Sequence, residues 1–269
     1  MKKSKIEVNE FEDELKNTWL VQSTVLTRNI TIFVIFVLLI SAIIFVPPSN
    51  WLIPAKTVNY EVNPHKEPVM VIDYRNVSDS DNISYGNSSQ LIKKKNLNNS
   101  MDYYILPLAR YSLSGRLIAK NTFFFDKTAF DKVALVDLGV VWGRLADDEL
   151  FYKLSSNSRK YLDDARGLMV FFDEKYRREY GQMQGYVNQH FSHTHVIPSN
   201  KNVMRALNFA RIGQNIQIDG YLVDIFDSSK KRFVMTSLSN SDSNESSRSG
   251  GACEVMYVMR VQIGNKVFE

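Results

Sequence analysis

Three histidines and one cysteine are the residues of this chain whose types and spacing could do chemistry. His190, His193 and His195 fall within one run of six residues, and Cys253 is the only cysteine among the 269 residues. Imidazole and thiolate groups bind transition metals, and a thiolate beside an imidazole is a nucleophile. The four residues therefore suggest either a metal site or a cysteine enzyme. Burial of Cys253 at the start of a core strand is the structural alternative.

The metal hypothesis starts from the pair His193 and His195. On a β-strand these two side chains share one face, because successive side chains alternate between the two faces. Such a pair can hold Zn²⁺ or Cu²⁺ with a third ligand from Cys253 or Glu254. Local His-x-His pairs also arise by chance, and a structural role of the imidazoles in the loop before Pro198 is the alternative.

The enzyme hypothesis starts from Cys253. A nucleophilic thiolate needs a neighbouring base or cation and access to solvent. Residues 250–252 are Gly-Gly-Ala, and these small side chains could leave the sulfur of Cys253 accessible. Arg260 follows in the same predicted strand and is the candidate for stabilising an oxyanion.

The elements that must position these residues are mostly β-strands. Apolar and polar residues alternate over 109–119, which is typical of a half-buried strand. Gly220 predicts a bulge or a close backbone approach within its strand. Further strands are predicted over 132–143, 168–172, 215–225, 233–238 and 254–263, and helices over 146–154 and 200–210. The pattern predicts an α+β fold, in which one N-terminal transmembrane helix precedes a β-rich domain of barrel-like or mixed-sheet type.

A single apolar run, ITIFVIFVLLISAIIFV over 30–46, predicts a transmembrane anchor over 30–50. Lysine and arginine residues before the run predict an inner-membrane, single-pass protein with a cytoplasmic N-terminus and a periplasmic or otherwise extracytoplasmic C-terminal domain. A cleaved signal peptide would have a shorter apolar core. The predicted domains are a cytoplasmic tail (1–29), the anchor (30–50), a membrane-proximal strand segment with a Ser/Asn-rich linker (51–102) and an exported globular domain (103–269).

The order of these parts faintly resembles the sortases, cysteine transpeptidases anchored outside bacterial membranes. The matching parts are His195, the strand GQNIQI over 213–218, Cys253 and Arg260. The resemblance implies Cys253 as nucleophile, His195 as base and Arg260 as oxyanion stabiliser. The chain departs from the sortase pattern at Gln214, which replaces an acidic residue, and at Ala252, which replaces a threonine.

Residues 103–260 more closely resemble a group of uncharacterised, membrane-anchored bacterial proteins. The matching stretches are VDLGVVWGRLADDEL, HFSHTHVIPSN, RIGQNIQIDGYLVDI and GGACEVMYV. His190, His195 and Cys253 stand where the group has the same residue types, whereas His193 stands where the group has asparagine. The resemblance implies that His190 and His195 are the important histidines, so the metal hypothesis takes His190, His195 and Cys253 as ligands. It implies no activity.

Other sequence features limit the possible functions. The chain has no Walker loop and no GxGxxG, GxSxG or HExxH motif. Asp137 is too far in sequence from Asp147 and Asp148 to predict an acid/base pair. The net charge of +4 is dispersed, without a polybasic block, so no nucleic-acid partner is expected.

These observations favour a membrane-anchored envelope protein that acts as a binding or assembly module. Its expected partners are the membrane and other envelope proteins. The alternatives are a sortase-like Cys/His transpeptidase or hydrolase and a His/Cys metal-binding protein. The sequence defines no cofactor.

Overall fold

The computed structural model describes residues 29–34, 55–73, 91–95, 102–123, 130–160, 166–240 and 253–269. The chain divides into two compact units, Met1–Pro54 and Ala55–Glu269. In the first unit, residues 29–34 are described and are helical. The second unit is mostly β-sheet with short helices.

The predicted membrane anchor over 30–50 requires correction. Within the described ranges, no helix combines the length and the apolar character needed to cross a membrane. Residues 35–50 of the predicted anchor lie outside the described residues. The prediction of a transmembrane helix is therefore not upheld, nor is the single-pass inner-membrane location built on it.

Twelve strands are described in the second unit. They are β1 (Lys56–Thr57), β2 (Val69–Ile72), β3 (Ile92–Lys95), β4 (Asp102–Thr122), β5 (Val136–Val141), β6 (Leu154–Lys160), β7 (Arg166–Phe172), β8 (Phe191–Pro198), β9 (Asn215–Phe226), β10 (Arg232–Val234), β11 (Glu254–Ile263) and β12 (Lys266–Phe268). Ten of them form one sheet, and β6 and β7 form a separate two-stranded sheet. Because β2 and β3 both pair with β4, the described part of 51–102 belongs to the same sheet as the predicted domain 103–269.

The described helices are short and join the strands. The α-helices are α1 (Asp148–Phe151), α2 (Glu174–Tyr180), α3 (Gln184–Gln189) and α4 (Lys201–Phe209), and 3₁₀ turns cover Gly143–Ala146 and Gly181–Met183. Asn200 is the N-cap of α4. Its side chain accepts hydrogen bonds from the backbone amides of Asn202 and Val203 at 2.8 and 3.0 Å. Such a cap stabilises a helix by about 1 kcal/mol and explains the start of α4.

Five strands close into a ring, which we call the strand ring: β4, β5, β8, β11 and β9. The ring closes because β9 pairs with β4 on one side and with β11 on the other. Strands β8 and β11 are parallel, and the other four neighbouring pairs are antiparallel. Parallel pairing is possible here because more than fifty residues separate β8 from β11 in the chain.

The strand ring has an apolar interior and a second apolar layer outside. One cluster contains a fully buried residue from every strand of the ring: Leu113, Leu138, Val196, Ile218 and Val258. Side chains alternate along each strand, so the next residues face outward. Ile197 of β8 and Val255 of β11 belong to a separate outer cluster. The two sides of β8 and β11 therefore have different environments.

Gly220 of β9 lies where the backbones of β9 and β11 approach closely. A Cβ atom at Gly220 would collide with the carbonyl oxygen of Tyr257. We expect Gly220→Ala to lower the free energy of unfolding by about 1–3 kcal/mol, because backbone atoms must move to admit the methyl group. Urea unfolding followed by circular dichroism measures this change.

Gly185 is the matched control for Gly220. It lies in α3, and a Cβ atom there meets nothing within 4 Å. Gly185→Ala should leave stability unchanged or raise it by up to about 1 kcal/mol, because alanine favours helix more than glycine does. Equal effects of the two substitutions would contradict the close approach at Gly220.

Candidate functional site

Three neighbouring strands of the ring bring the candidate residues together. Asp137 of β5 lies opposite His195 of β8 in the antiparallel register. Glu254, the first residue of β11, lies beside Thr194 of β8 in the parallel register. Cys253 directly precedes Glu254 and therefore lies next to His193.

The resulting cluster consists of Asp137, His193, His195 and Cys253, and we call it the Cys/His cluster. The Sγ atom of Cys253 lies 3.2 Å from Nδ1 of His193. The other ring nitrogen of His193, Nε2, lies 3.5 Å from Oδ2 of Asp137. Nδ1 of His195 lies 2.7 Å from Oδ1 of the same carboxylate. One carboxylate thus contacts both imidazoles, and one imidazole contacts the thiol.

Asp137 is ionised in this environment. Burial alone would raise the pKa of its carboxyl group, but the charge of His195 and hydrogen bonds from both imidazoles outweigh burial. The pKa of Asp137 is therefore well below its ordinary value. An ionised Asp137 favours the tautomers in which Nδ1 of His195 and Nε2 of His193 carry hydrogen.

Three residues of the cluster are buried, and Cys253 is partly exposed. Asp137, His193 and His195 are at most 5% exposed, whereas Cys253 is partly exposed. The rings of His193 and His195 meet edge to face at 4.5 Å, and Phe130 contacts His195 edge to face at 5.1 Å. These contacts fix the two imidazole rings, and Cys253 is the partly exposed residue of the cluster.

The segment after β10 fixes the backbone of Cys253. The amide of Ser237 donates to the carbonyl oxygen of Cys253 at 3.3 Å. Oγ1 of Thr236 accepts from the amide of Val255 at 2.8 Å, and the Thr236 amide donates to Oδ1 of Asp224 at 3.0 Å. Thr236, Ser237 and Asp224 are fully buried. These hydrogen bonds hold the backbone from the carbonyl group of Cys253 to the amide of Val255.

Glu254 faces the opposite side of β11, inside the strand ring. The hydroxyl of Ser192 donates to Oε2 of Glu254 at 2.7 Å and also contacts the hydroxyl of Thr194 at 2.7 Å. Burial raises the pKa of Glu254 to about 8, although the hydrogen bond from Ser192 opposes this shift. Glu254 is therefore a neutral carboxylic acid at neutral pH.

The raised pKa of Glu254 predicts a loss of stability with rising pH. In the unfolded chain this carboxyl ionises near its ordinary pKa of 4.5, whereas in the folded chain it keeps its proton up to about pH 8. Between these values the folded state binds more protons, so the free energy of unfolding falls as pH rises. We expect Glu254→Gln to reduce this fall by a few kcal/mol between pH 5 and pH 8.5. Urea unfolding at both pH values measures it.

Glu149 provides the control, because its side chain is 76% exposed. Glu149→Gln should leave the pH dependence of stability as in the wild type. An unchanged pH dependence in Glu254→Gln would contradict the neutral buried carboxyl.

The structure places His190 outside the Cys/His cluster, contrary to the predicted ligand set. Its ring stacks on Tyr186 with 3.7 Å between centroids, and its Nδ1 lies 2.9 Å from the Tyr186 carbonyl oxygen. Its Nε2 lies 3.6 Å from Glu67. The backbone carbonyl of His190 accepts from the amide of Trp142, five residues beyond Asp137, which puts His190 at a different position along β5. Among the described residues, the group able to hold a metal is His193, His195 and Cys253.

Arg260 also lies away from Cys253. Arg260 is seven positions after Cys253 in the chain, which is about 23 Å along a strand. Nη1 of Arg260 donates to Asp219 at 2.6 Å, and Nη2 donates to Gln262 at 2.7 Å. Arg260 and Asp219 line an open depression of about 400 Å³. The sortase-like assignment of Arg260 as oxyanion stabiliser for Cys253 does not match this position.

Asp137 is the member of the Cys/His cluster that the sequence did not predict. Its distance in sequence from Asp147 and Asp148 gave no reason to expect an acid/base pair. In the structure Asp148 instead pairs with Arg116 at 2.5 Å, and Asp147 lies 3.6 Å from His65. A signal was present, because Asp137 is the one charged residue within the apolar run VALVDLGVV. A charge in a buried strand requires a partner.

Comparison of the chain with protein-family models, with curated proteins and with solved structures found no match. The two resemblances drawn from sequence motifs therefore stay predictions. A thiol in contact with an imidazole, which in turn contacts an ionised carboxylate, has the parts needed for nucleophilic catalysis.

Proposed function

We propose that this protein is a cysteine enzyme that transfers an acyl group, with Cys253 as nucleophile and His193 as general base. The observation that carries the proposal is the 3.2 Å contact between Sγ of Cys253 and Nδ1 of His193. This distance is within the reach required of a base that removes a proton from a nucleophile. The partial exposure of Cys253 supports access of a carbonyl substrate to the sulfur.

The proposed reaction begins with transfer of the Cys253 thiol proton to Nδ1 of His193. The sulfur attacks a carbonyl carbon, and a tetrahedral intermediate forms. Collapse of the intermediate breaks the bond to the leaving group, which takes the proton from His193 and departs, and a thioester remains on Cys253. Water or an amine then attacks the thioester and loses a proton to His193. The acyl group departs as an acid or an amide, and His193 returns the proton to the Cys253 sulfur. The enzyme is a hydrolase if water attacks and a transpeptidase if an amine attacks.

Asp137 and His195 act as positioning residues in this proposal. The carboxylate of Asp137 lies 3.5 Å from Nε2 of His193 and favours the tautomer whose Nδ1 is free of hydrogen. It also stabilises the imidazolium that forms when His193 takes the proton. The contact of 2.7 Å between Asp137 and His195 holds the carboxylate in place.

The proposal changes two assignments made from the sequence. His193 replaces His195 as the base, because the thiol lies 3.2 Å from Nδ1 of His193. Arg260 has no role at the thiol. It lies far from Cys253 along β11 and forms an ion pair with Asp219 of β9. Of the sortase-like assignment, Cys253 as nucleophile is kept.

An activated ester tests the proposal without knowledge of the natural substrate. We would treat the full chain with p-nitrophenyl acetate and follow nitrophenol release together with the intact protein mass. The expected result is a burst of one nitrophenol per chain, with an acetyl group that peptide mapping locates on Cys253. Cys253→Ala should abolish the burst, whereas His190→Gln should preserve it, because His190 lies outside the cluster.

The competing binding-module hypothesis makes the opposite prediction. It requires no reactive thiol, so wild type and Cys253→Ala would release nitrophenol at the same slow rate. That outcome would overturn the enzyme proposal.

A further inference from the structure

The Cys/His cluster also has the composition of a metal centre. One ligand atom from each of His193, His195 and Cys253 lies within 4.8 Å of the other two. Bonds to Zn²⁺ are about 2.3 Å for sulfur and about 2.0–2.1 Å for nitrogen, which places tetrahedral ligands about 3.5 Å apart. The contact of 3.2 Å between Cys253 and His193 is close to that separation.

Asp137 is in the position of a carboxylate that hydrogen-bonds the metal-binding histidines without binding the metal itself. It contacts Nδ1 of His195 at 2.7 Å and Nε2 of His193 at 3.5 Å. On the other side of each ring lie Nε2 of His195 and Nδ1 of His193. Histidines that bind zinc commonly donate their other ring hydrogen to a carboxylate, which fixes the tautomer and raises ligand basicity. A single carboxylate performs this task for both imidazoles here.

We propose that His193, His195 and Cys253 bind one Zn²⁺ ion, and that the bound ion blocks the nucleophilic thiol. Thiolate and imidazole donors favour zinc over magnesium or calcium. Three protein ligands leave a fourth coordination position for water. The partial exposure of Cys253 gives water access to this position. Binding replaces the thiol hydrogen of Cys253 with the metal and releases one proton to solvent.

The metal binding stands by itself, but its inhibitory effect rests on the proposed cysteine chemistry. Zinc and an acyl group would use the same sulfur electron pair. Zinc occupancy therefore makes the acylation of Cys253 dependent on the free metal concentration. This assigns the ion a regulatory role at the site.

The test is a titration of the full chain with Zn²⁺ alone and, in parallel, with Co²⁺. We expect one ion per chain and, with Co²⁺, a thiolate-to-metal charge-transfer band. Cys253→Ser, His193→Ala and His195→Ala should each lose the stoichiometric site, and Asp137→Asn should weaken binding by about 10–100-fold. His190→Gln is the matched control and should bind like the wild type. Zn²⁺ should also protect wild-type Cys253 from iodoacetamide.

The two proposals fail in different ways. Absence of a one-to-one complex in the wild type, or an equal affinity in Cys253→Ser, would overturn the zinc site. If p-nitrophenyl acetate still acetylates Cys253 in the presence of a chelator, the enzyme proposal survives that failure. If instead Zn²⁺ binds as expected but the metal-free chain shows no burst, the enzyme proposal falls and the zinc site stands.

Discussion

His193→Ala is expected to slow the acetylation of Cys253 by p-nitrophenyl acetate by about 10²–10⁴-fold. His193 makes the contact of 3.2 Å with the sulfur, so its loss removes the group that takes the thiol proton. Because His193 is 3% exposed, the variant also leaves a cavity beside the thiol. The measurement is the burst rate, corrected for background release by subtraction of the Cys253→Ala rate.

Two further variants separate the role of the base from that of packing. His193→Gln retains much of the side-chain volume but has no basic nitrogen, so it should be as slow as His193→Ala. His195→Ala should cost less, because His195 acts through Asp137. A larger loss in His195→Ala than in His193→Ala would restore the assignment of His195 as base and contradict ours.

Asp137→Ala is expected to have the largest effect on stability, about 3–5 kcal/mol of unfolding free energy. The Asp137 carboxylate is 3% exposed and contacts two imidazoles that are themselves buried. Its removal leaves both imidazoles without their charged partner inside the protein. Urea unfolding at pH 7 measures the loss.

Asp147→Ala is the control for this prediction. Asp147 also faces a histidine, His65, but both side chains are about half exposed and lie 3.6 Å apart. An exposed ion pair contributes about 0–1 kcal/mol, so the variant should be almost as stable as the wild type. Similar losses in Asp137→Ala and Asp147→Ala would show that the buried carboxylate is not a structural support of the cluster.

Strands β9 and β11 were predictable from the sequence. Strand β11 was predicted over 254–263 and is Glu254–Ile263 in the structure. Strand β9 was predicted over 215–225 and extends one residue further, to Phe226. The close approach at Gly220 is also confirmed. Strand β9 begins with alternating burial, whereas β11 is an apolar run that is buried on both faces over its first half, and both patterns are local.

The Cys/His cluster was predictable only in part. The shared face of His193 and His195 follows from their spacing, and it is confirmed by their contact with one carboxylate. The choice of His190 over His193 came from a resemblance and not from strand geometry. The sequence could not supply the registers of β5 with β8 and of β8 with β11, because those pairings join residues about 60 positions apart.

The rate of alkylation of Cys253 by iodoacetamide tests directly whether Cys253 is an activated nucleophile. Cys253 is the only thiol in the chain, so every alkylation event reports on it. We expect Cys253 in the folded wild type, freed of metal by a chelator, to react faster than the same cysteine in the urea-unfolded chain. We also expect His193→Ala to lose this advantage. If the folded wild type reacts more slowly than the unfolded chain, the thiol is inaccessible and unreactive. That result would contradict the role of Cys253 as a nucleophile.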